Sequence, residues 1–287
     1  MIRMSDGTSD GVPGSLPDAV NHSVLDQRYG GAAPASIASA NDVIALLQRH
    51  RSVRSFTDEG IDDDTVTLIV SAAQSAATSS NMQAWSVIEV RDPEHKAAIS
   101  VLAGDQAFIR RAPVFLIFVA DWSRHRGVAE HRGETAEGVE YIESTLVGFI
   151  DAALAAQNAT IAAESLGLGA VYVGAVRNRP EELADLLELP PSAFPVMGIA
   201  LGHPDPADRA GIKPRLPQDV VRHRETYRPA PDAAIVAYDD AVRTYYAGQG
   251  MSHGWIGTIL GRIRSAATLR GREKLRSALE RRGLPSK

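Results

Sequence analysis

QRHRSVRSF, residues 48–56, brings His50, Arg51 and Arg54 within five residues of one another beside Ser52, at the end of an apolar helix pattern made by Val43, Ile44, Leu46 and Leu47. Arginine offers a planar fork of donors and serine adds a short one, so the run suits an anion, a phosphate above all. The plain alternative is a solvated basic turn. A second stretch, ATSSNMQAW at residues 77–85, shifts the balance. Thr78, Ser79, Ser80, Asn81 and Gln83 give five hydrogen-bonding side chains in six residues. They follow a helix pattern carried by Val66, Ile69, Val70 and Ala73 and precede the strand-like run 86–90. Amide and hydroxyl groups both donate and accept, so such a polar helix-to-strand junction can read the edge of a flat heteroaromatic ring.

At these residues the chain resembles the oxygen-insensitive (type A) nitroreductases and NAD(P)H-dependent flavin reductases that bind FMN. HRSVRSFTDE is similar to the family's first flavin-binding run, and ATSSNMQAW to its Ser-Ser-x-Asn-x-Gln-Pro-Trp run, with Ala84 where proline is usual. GDQAFIRRAPVFLIFVADWSRH at 104–125, AAQNATIAAESLGLGAVYVGAVRN at 155–178, and LGHPD followed by KPRLP across 201–217 continue the likeness in the family's order. About residues 41 to 247 are covered.

The resemblance implies an α+β fold: a nitroreductase-like three-layer sandwich with a central, mainly antiparallel sheet flanked by helices and FMN at a homodimer interface. It implies His50, Arg51, Ser52, Arg54, Thr78, Ser79, Asn81, Gln83, Gln106, Tyr172, Val173, Gly174, Lys213 and Arg215 as cofactor-binding residues. Thr78 stands where serine is usual, and Ala175 replaces a second glycine. Arg51 or Arg215 is expected at the phosphate, and Arg54 or Lys213 at the pyrimidine edge, where a cation favours the reduced flavin. The implied mechanism is ping-pong. NAD(P)H delivers hydride to flavin N5 and leaves, and a nitroaromatic, a quinone or free flavin takes its place. No catalytic side chain is required, and the chain offers neither a cysteine nor a Gly-x-Ser-x-Gly elbow. A hydrolase or transferase using the cationic pocket for a phosphorylated substrate, and a non-catalytic flavin sensor, are the competing readings.

Composition bounds the rest. The 287 residues are 44% apolar and 23% charged, ordinary for a soluble globular chain. With zero cysteines, disulfides, thiolate catalysis, iron–sulfur clusters and zinc ribbons are excluded. The start MIRMSDGTSDG has no apolar core like a secretory signal, so a cytoplasmic location is expected. The longest uncharged apolar run, 113–120, is strand length and far short of the ~20 residues of a membrane helix, so no membrane association is expected. Residues 262–287 hold nine Lys or Arg against Glu273 and Glu280, or +7, which leaves −12 for residues 1–261. Leu269, Leu275, Ala278 and Leu279 recur at near-helical spacing in that tail, which favours a surface or subunit-clasping helix over a nucleic-acid arm.

Along the chain, residues 1–40 read as a mostly disordered extension rich in Gly, Ala, Ser and Pro. Residues 41–250 read as the FMN-binding domain and 251–287 as a basic helical extension. Asn41 caps a helix to about Arg49, Asp62 or Asp63 caps the next, and Pro93 and Gly104 bracket another. The run 114–119 reads as a strand covered on both faces. Residues 123–137 read as a charged loop, in which His125 and His131 make a weak metal pair. Residues 141–166 read as one helix apolar nearly all round, either the hub of the domain or packed on a second copy of itself. Gly167 to Ala170 follow a helix and precede a strand, 171–176, the reverse of a dinucleotide loop. Further elements are expected at 181–187 (helix), 195–201 (strand) and 231–247 (helix). Finally, the loop 247–255 lacks the arginines that hold the 2′-phosphate of NADPH in the family. NADPH or NADH is therefore the expected co-substrate, with weak discrimination unless Arg262 and Arg264 substitute.

Overall fold

The run VFLIFVAD is apolar up to its last residue and demands cover on both sides; in the computed structural model, which describes residues 18–30 and 41–287, all eight of its side chains are buried. The strands are β1 (Trp85–Val90), β2 (Val114–Asp121), β3 (Gly169–Val173) and β4 (Ala193–Gly202). They form one sheet in the order β1-β2-β4-β3, every pair antiparallel.

The helices among the described residues begin with α1 (Asp18–Tyr29), α2 (Asp42–Arg49), α3 (Asp63–Gln74), α4 (Pro93–Leu102), α5 (Ala107–Arg111) and α6 (Ser123–Arg132). They continue with α7 (Ile142–Ser165), α8 (Pro180–Leu186), α9 (Gln218–Val221), α10 (Asp232–Gly248), α11 (Trp255–Ile263) and α12 (Leu275–Arg281). The two-residue period of β2 sorts them into layers. Val114, Leu116, Phe118 and Ala120 pack with Val66, Ile69 and Ala73 of α3 and with the alanines of α7. Phe115, Ile117 and Val119 pack on the other side with Ile99 of α4, Ile109 of α5 and Leu183 of α8. This is the expected three-layer α+β sandwich.

The chain divides into two compact units. The sheet and both of its helical layers belong to the unit formed by Arg51–Gly211 and Tyr246–Lys287; the other comprises the described residues of Met1–His50 together with Ile212–Tyr245. The basic tail is stitched into the sheet unit. Arg281 pairs with Glu181 through bonds of 2.6 and 2.5 Å, Arg282 Nη2 donates to the carbonyls of Leu189 (2.5 Å) and Pro190 (2.7 Å), and Lys287 pairs with Glu140. Leu284 and Ala278 are buried beneath them.

The caps are where the polar residues indicate. The side chains of Asn41, Asp62 and Asp92 accept from the N–H groups of Ile44, Thr65 and His95 at 3.0, 2.7 and 2.7 Å. Four expectations change. Within the stretch 1–40 the structure describes helix α1, which buries Val24, Leu25 and Arg28; residues 1–17 and 31–40 lie outside the described residues. The charged loop expected at 123–137 is helical over α6 and closed by Gly133 at φ 67°, a left-handed C-cap. The strand expected to reach Val176 stops at Val173, and a 3₁₀ turn, Gly174–Arg177, follows. Helix α7 is long and apolar enough to cross a membrane by length and composition, contrary to the reading that no segment approaches that length. It nevertheless buries one face, from Thr145 to Ala163, within the sandwich.

Candidate functional site

The first cationic run is laid along the start of β3. Val53 N–H donates to the Ala170 carbonyl at 3.0 Å, and Ser52 forms a parallel bridge with Ala170. Gly169 makes this approach possible, since a Cβ there would lie 2.7 Å from Val53 Cβ. Arg51 Nη1 donates to Asp208 Oδ2 (3.2 Å) and to the Ala210 carbonyl (3.1 Å), which leaves its Nε and Nη2 without an acceptor among the described residues. Arg54 is exposed. Two guanidinium edges and the Ser52 hydroxyl are thus the donor set that a phosphate needs.

The second stretch is pinned by a residue that the sequence reading does not single out. Asp151, on the buried face of α7 and 1% exposed, accepts from Thr78 Oγ1 at 2.6 Å, Ser79 N–H at 3.1 Å and Ala84 N–H at 3.1 Å. Thr78 Oγ1 in turn accepts from Gln83 N–H at 2.8 Å. Between these anchors Ser80, Asn81 and Gln83 have φ of 48°, 55° and 53°, the left-handed region, and the Asn81 and Gln83 side chains stay exposed. A carboxylate in the middle of the apolar, alanine-rich stretch of α7 is the signal that could have revealed Asp151.

Gln106, Tyr172, Val173 and Gly174 line one cavity of about 440 Å³ together with Asn178, Arg262, Arg270 and Arg272. Gln106 stands at the N-cap of α5, its Nε2 donating to the Ala103 carbonyl at 2.9 Å. Tyr172 Oη donates to Gln157 Oε1 at 3.3 Å, and burial pushes its phenol pKa up. The cavity is strongly cationic. Burial, with Arg262 and Arg270 close by, holds the Arg272 guanidinium below its ordinary pKa; Arg177, at the turn after Gly174, is lowered by burial and by Arg272. Like charges crowded this way gain most from an anion. Asn178 Oδ1 is buried there without a hydrogen-bond partner among the described residues. Of the two arginines expected near the 2′-phosphate, Arg262 lines this cavity and Arg264 does not, whereas Arg270 and Arg272 join it unannounced.

A larger cavity, about 700 Å³, is lined by Met82, Gln83, Trp85, Arg124 and His125 and includes none of the cations of the first run. Arg124 is committed to the carbonyls of Gln83 (3.0 Å) and Trp85 (2.7 Å) and to Ser86 Oγ (2.8 Å). His125 Nε2 lies 2.8 Å from the Met82 carbonyl and His131 Nδ1 2.6 Å from that of Gly127, so each imidazole of the weak metal pair has a backbone partner.

His50, Lys213 and Arg215 belong to the other unit. His50 is the C-cap of α2, its N–H donating to the Leu47 carbonyl at 3.3 Å. Arg215 is exposed, with Nη1 donating to the carbonyls of Lys213 (3.2 Å) and Pro214 (3.3 Å). The structure therefore gathers the other predicted residues into three groups: the 51–54 run on β3, the Asp151-pinned loop 78–84, and the cavity at the end of β3.

The model of the Nitroreductase family matches residues 47–203, and that of its C-terminal domain matches residues 213–287. The chain is 48% identical over 208 residues, 71% of its length and 83% of the relative's, to the Bacillus subtilis protein named FMN reductase (NAD(P)H). It is 39% identical over 207 residues, 72% of its length and 83% of the relative's, to the oxygen-insensitive NADPH nitroreductase of Salmonella typhimurium. Among solved structures, B. megaterium NfrA2 superposes with a TM-score of 0.82 at 39% identity, covering 86% of this chain and 100% of that one. The NADPH:FMN oxidoreductase from Vibrio harveyi, complexed with NAD+, does so with 0.77 at 33% over the same shares.

Proposed function

We propose that this chain, which belongs to the nitroreductase family, is an FMN-dependent oxidoreductase that takes electrons from NAD(P)H and passes them to a small-molecule acceptor such as a nitroaromatic, a quinone or free flavin. The observation that carries the reading is the cavity at the end of β3, where an amide, a strand end and three arginines face one space. Bound FMN supplies the hydride relay between nicotinamide and acceptor. This chain's residues bind and orient. Arg51 or Arg215 would hold the phosphate and Arg54 or Lys213 the pyrimidine edge, and Ser52, Gln106 and residues 172–174 would supply further contacts. Reduced nicotinamide as electron source goes with a cytoplasmic location, and residues 41–250 with the FMN-binding body. The purified protein is expected to be yellow and to bleach anaerobically with NAD(P)H. A colourless protein would instead point to a hydrolase or transferase, and colour without bleaching to a flavin sensor.

Arg51→Ala is expected to weaken FMN binding about 10-fold or more. One charge-assisted hydrogen bond contributes ~1.5–3 kcal/mol, and the acceptor-free edge of Arg51 can supply two. An Arg51→Ala protein that keeps stoichiometric FMN through dialysis would refute this assignment.

The loop 78–84 lines none of the cavity that holds Gln106 and Tyr172, which supports a site completed by a second copy of the chain. An exposed apolar stripe on α7, Ile142, Leu146, Ile150 and Leu154 at spacing four, supports the same homodimer. An obligate interface of this kind buries ~2,000 Å² or more. Light scattering at micromolar concentration is expected to give twice the chain mass, and a monomeric mass counts against the dimer.

A further inference from the structure

Helix α1 lies outside both stretches matched by the family models, yet its last turn is built into the backbone that carries three of the predicted cofactor residues. Arg28 is 7% exposed. Its Nη2 donates to the carbonyls of Gln48 (2.7 Å) and His50 (2.7 Å), Nε donates to Gln48 (3.3 Å), and Nη1 donates to Lys213 (3.0 Å). The Arg28 carbonyl accepts from Arg215 N–H at 2.7 Å. Gly30, at φ 58°, seats the end of the helix so closely on α10 that a Cβ there would stand 2.7 Å from Ala241 Cβ.

A plain structural account makes Arg28 the cation that closes the carbonyl end of α2. That account leaves its contact with the Lys213 carbonyl unexplained. A helix end is also satisfied by glycine or water, so a cap alone does not call for an arginine. What a planar fork of donors adds is a fixed distance between segments, here the end of α2 and the 213–215 run. We infer that Arg28 is a positioning residue for the phosphate-binding cations: it fixes the backbone of His50, and so the start of the next residue, Arg51, and the backbone of Arg215. Whichever of those two arginines meets the phosphate, Arg28 holds the chain beside it, and α1 becomes part of the cofactor apparatus. The inference rests on the flavin reading given above.

The test compares two ligands that share the ring and ribityl chain and differ in the phosphate. FMN and riboflavin are titrated by fluorescence quenching into flavin-stripped full-length parent, Arg28→Ala and Arg28→Lys, with the urea midpoint of each recorded. Lysine keeps the charge but offers its donors from one point, so it cannot bridge the same carbonyls. In both variants the preference for FMN over riboflavin is expected to fall about 10-fold. If Arg28→Ala does not fold, Arg28→Lys carries the test. An unchanged preference, whether both affinities stay or fall together, overturns the inference and leaves Arg28 a structural cap. A parent that binds no FMN overturns the flavin reading itself, and this inference with it.

Discussion

Replacing Asp151 by alanine is expected to destabilise the protein by about 3 kcal/mol, through three donors each worth ~1–3 kcal/mol when left unpaired. The carboxylate is 1% exposed and accepts from Thr78 Oγ1, Ser79 N–H and Ala84 N–H, and two of these three are backbone groups with no freedom to turn elsewhere. Ser79 is exposed and can recruit water, and the Thr78 hydroxyl can turn elsewhere, so the loss falls mainly on Ala84, which is fully buried. The loop between those anchors holds Ser80, Asn81 and Gln83 at positive φ, a conformation that non-glycine residues leave when released. The variant should therefore lose the shape of the loop as well as stability. Asp151→Asn keeps the volume and offers one acceptor oxygen in place of two, so an intermediate loss is expected. Urea unfolding with an unchanged slope reads these differences as shifts of midpoint. A midpoint for Asp151→Ala within about 0.5 kcal/mol of the parent would show that the loop is held by something else.

What could be read in the sequence was local. Asn41 and Asp62 announce helices because capping needs only a side-chain oxygen and an N–H three residues on. The burial of β2 on both faces follows from an uninterrupted apolar run. What escaped depends on partners distant in the chain. Arg28 and Asp151 look like ordinary surface charges until the Lys213 carbonyl, 185 residues from one, and the N–H groups of the 79–84 loop, up to 72 residues from the other, arrive beside them. Helix α6 escaped for the opposite reason: it is polar on every side, so no apolar period betrays it, and only Gly133 marks its end. Val176 reads as strand because a β-branched run looks the same whether or not it pairs, yet β3 has no register with β4 beyond Val173 and Gly198.

The basic tail shows the same limit and leads to the largest expected effect on activity. Counting charges reveals nine cations in residues 262–287 but not their separate duties. Arg281, Arg282 and Lys287 fasten the chain end, whereas Arg262, Arg270 and Arg272 surround the cavity at the end of β3. The loop 247–255 brings no arginine to a 2′-phosphate, and the ring of His253, its one titratable group, is packed on Tyr246 with centroids 3.9 Å apart. Arg262 and Arg270, which line the cavity, are thus the residues expected to separate NADPH from NADH, while Arg264, exposed and outside the cavity, is the control. Both are themselves exposed, so the ~1.5–3 kcal/mol of a charge-assisted bond is to be cut by about half for solvent at the rim. Two such bonds then predict that Arg262→Ala/Arg270→Ala lowers kcat/KM for NADPH by roughly 10- to 100-fold and for NADH by much less. Arg264→Ala is expected to leave the ratio where it was. A strong preference for NADPH that survives the double substitution would assign the 2′-phosphate to other residues and leave these arginines a role common to both nucleotides.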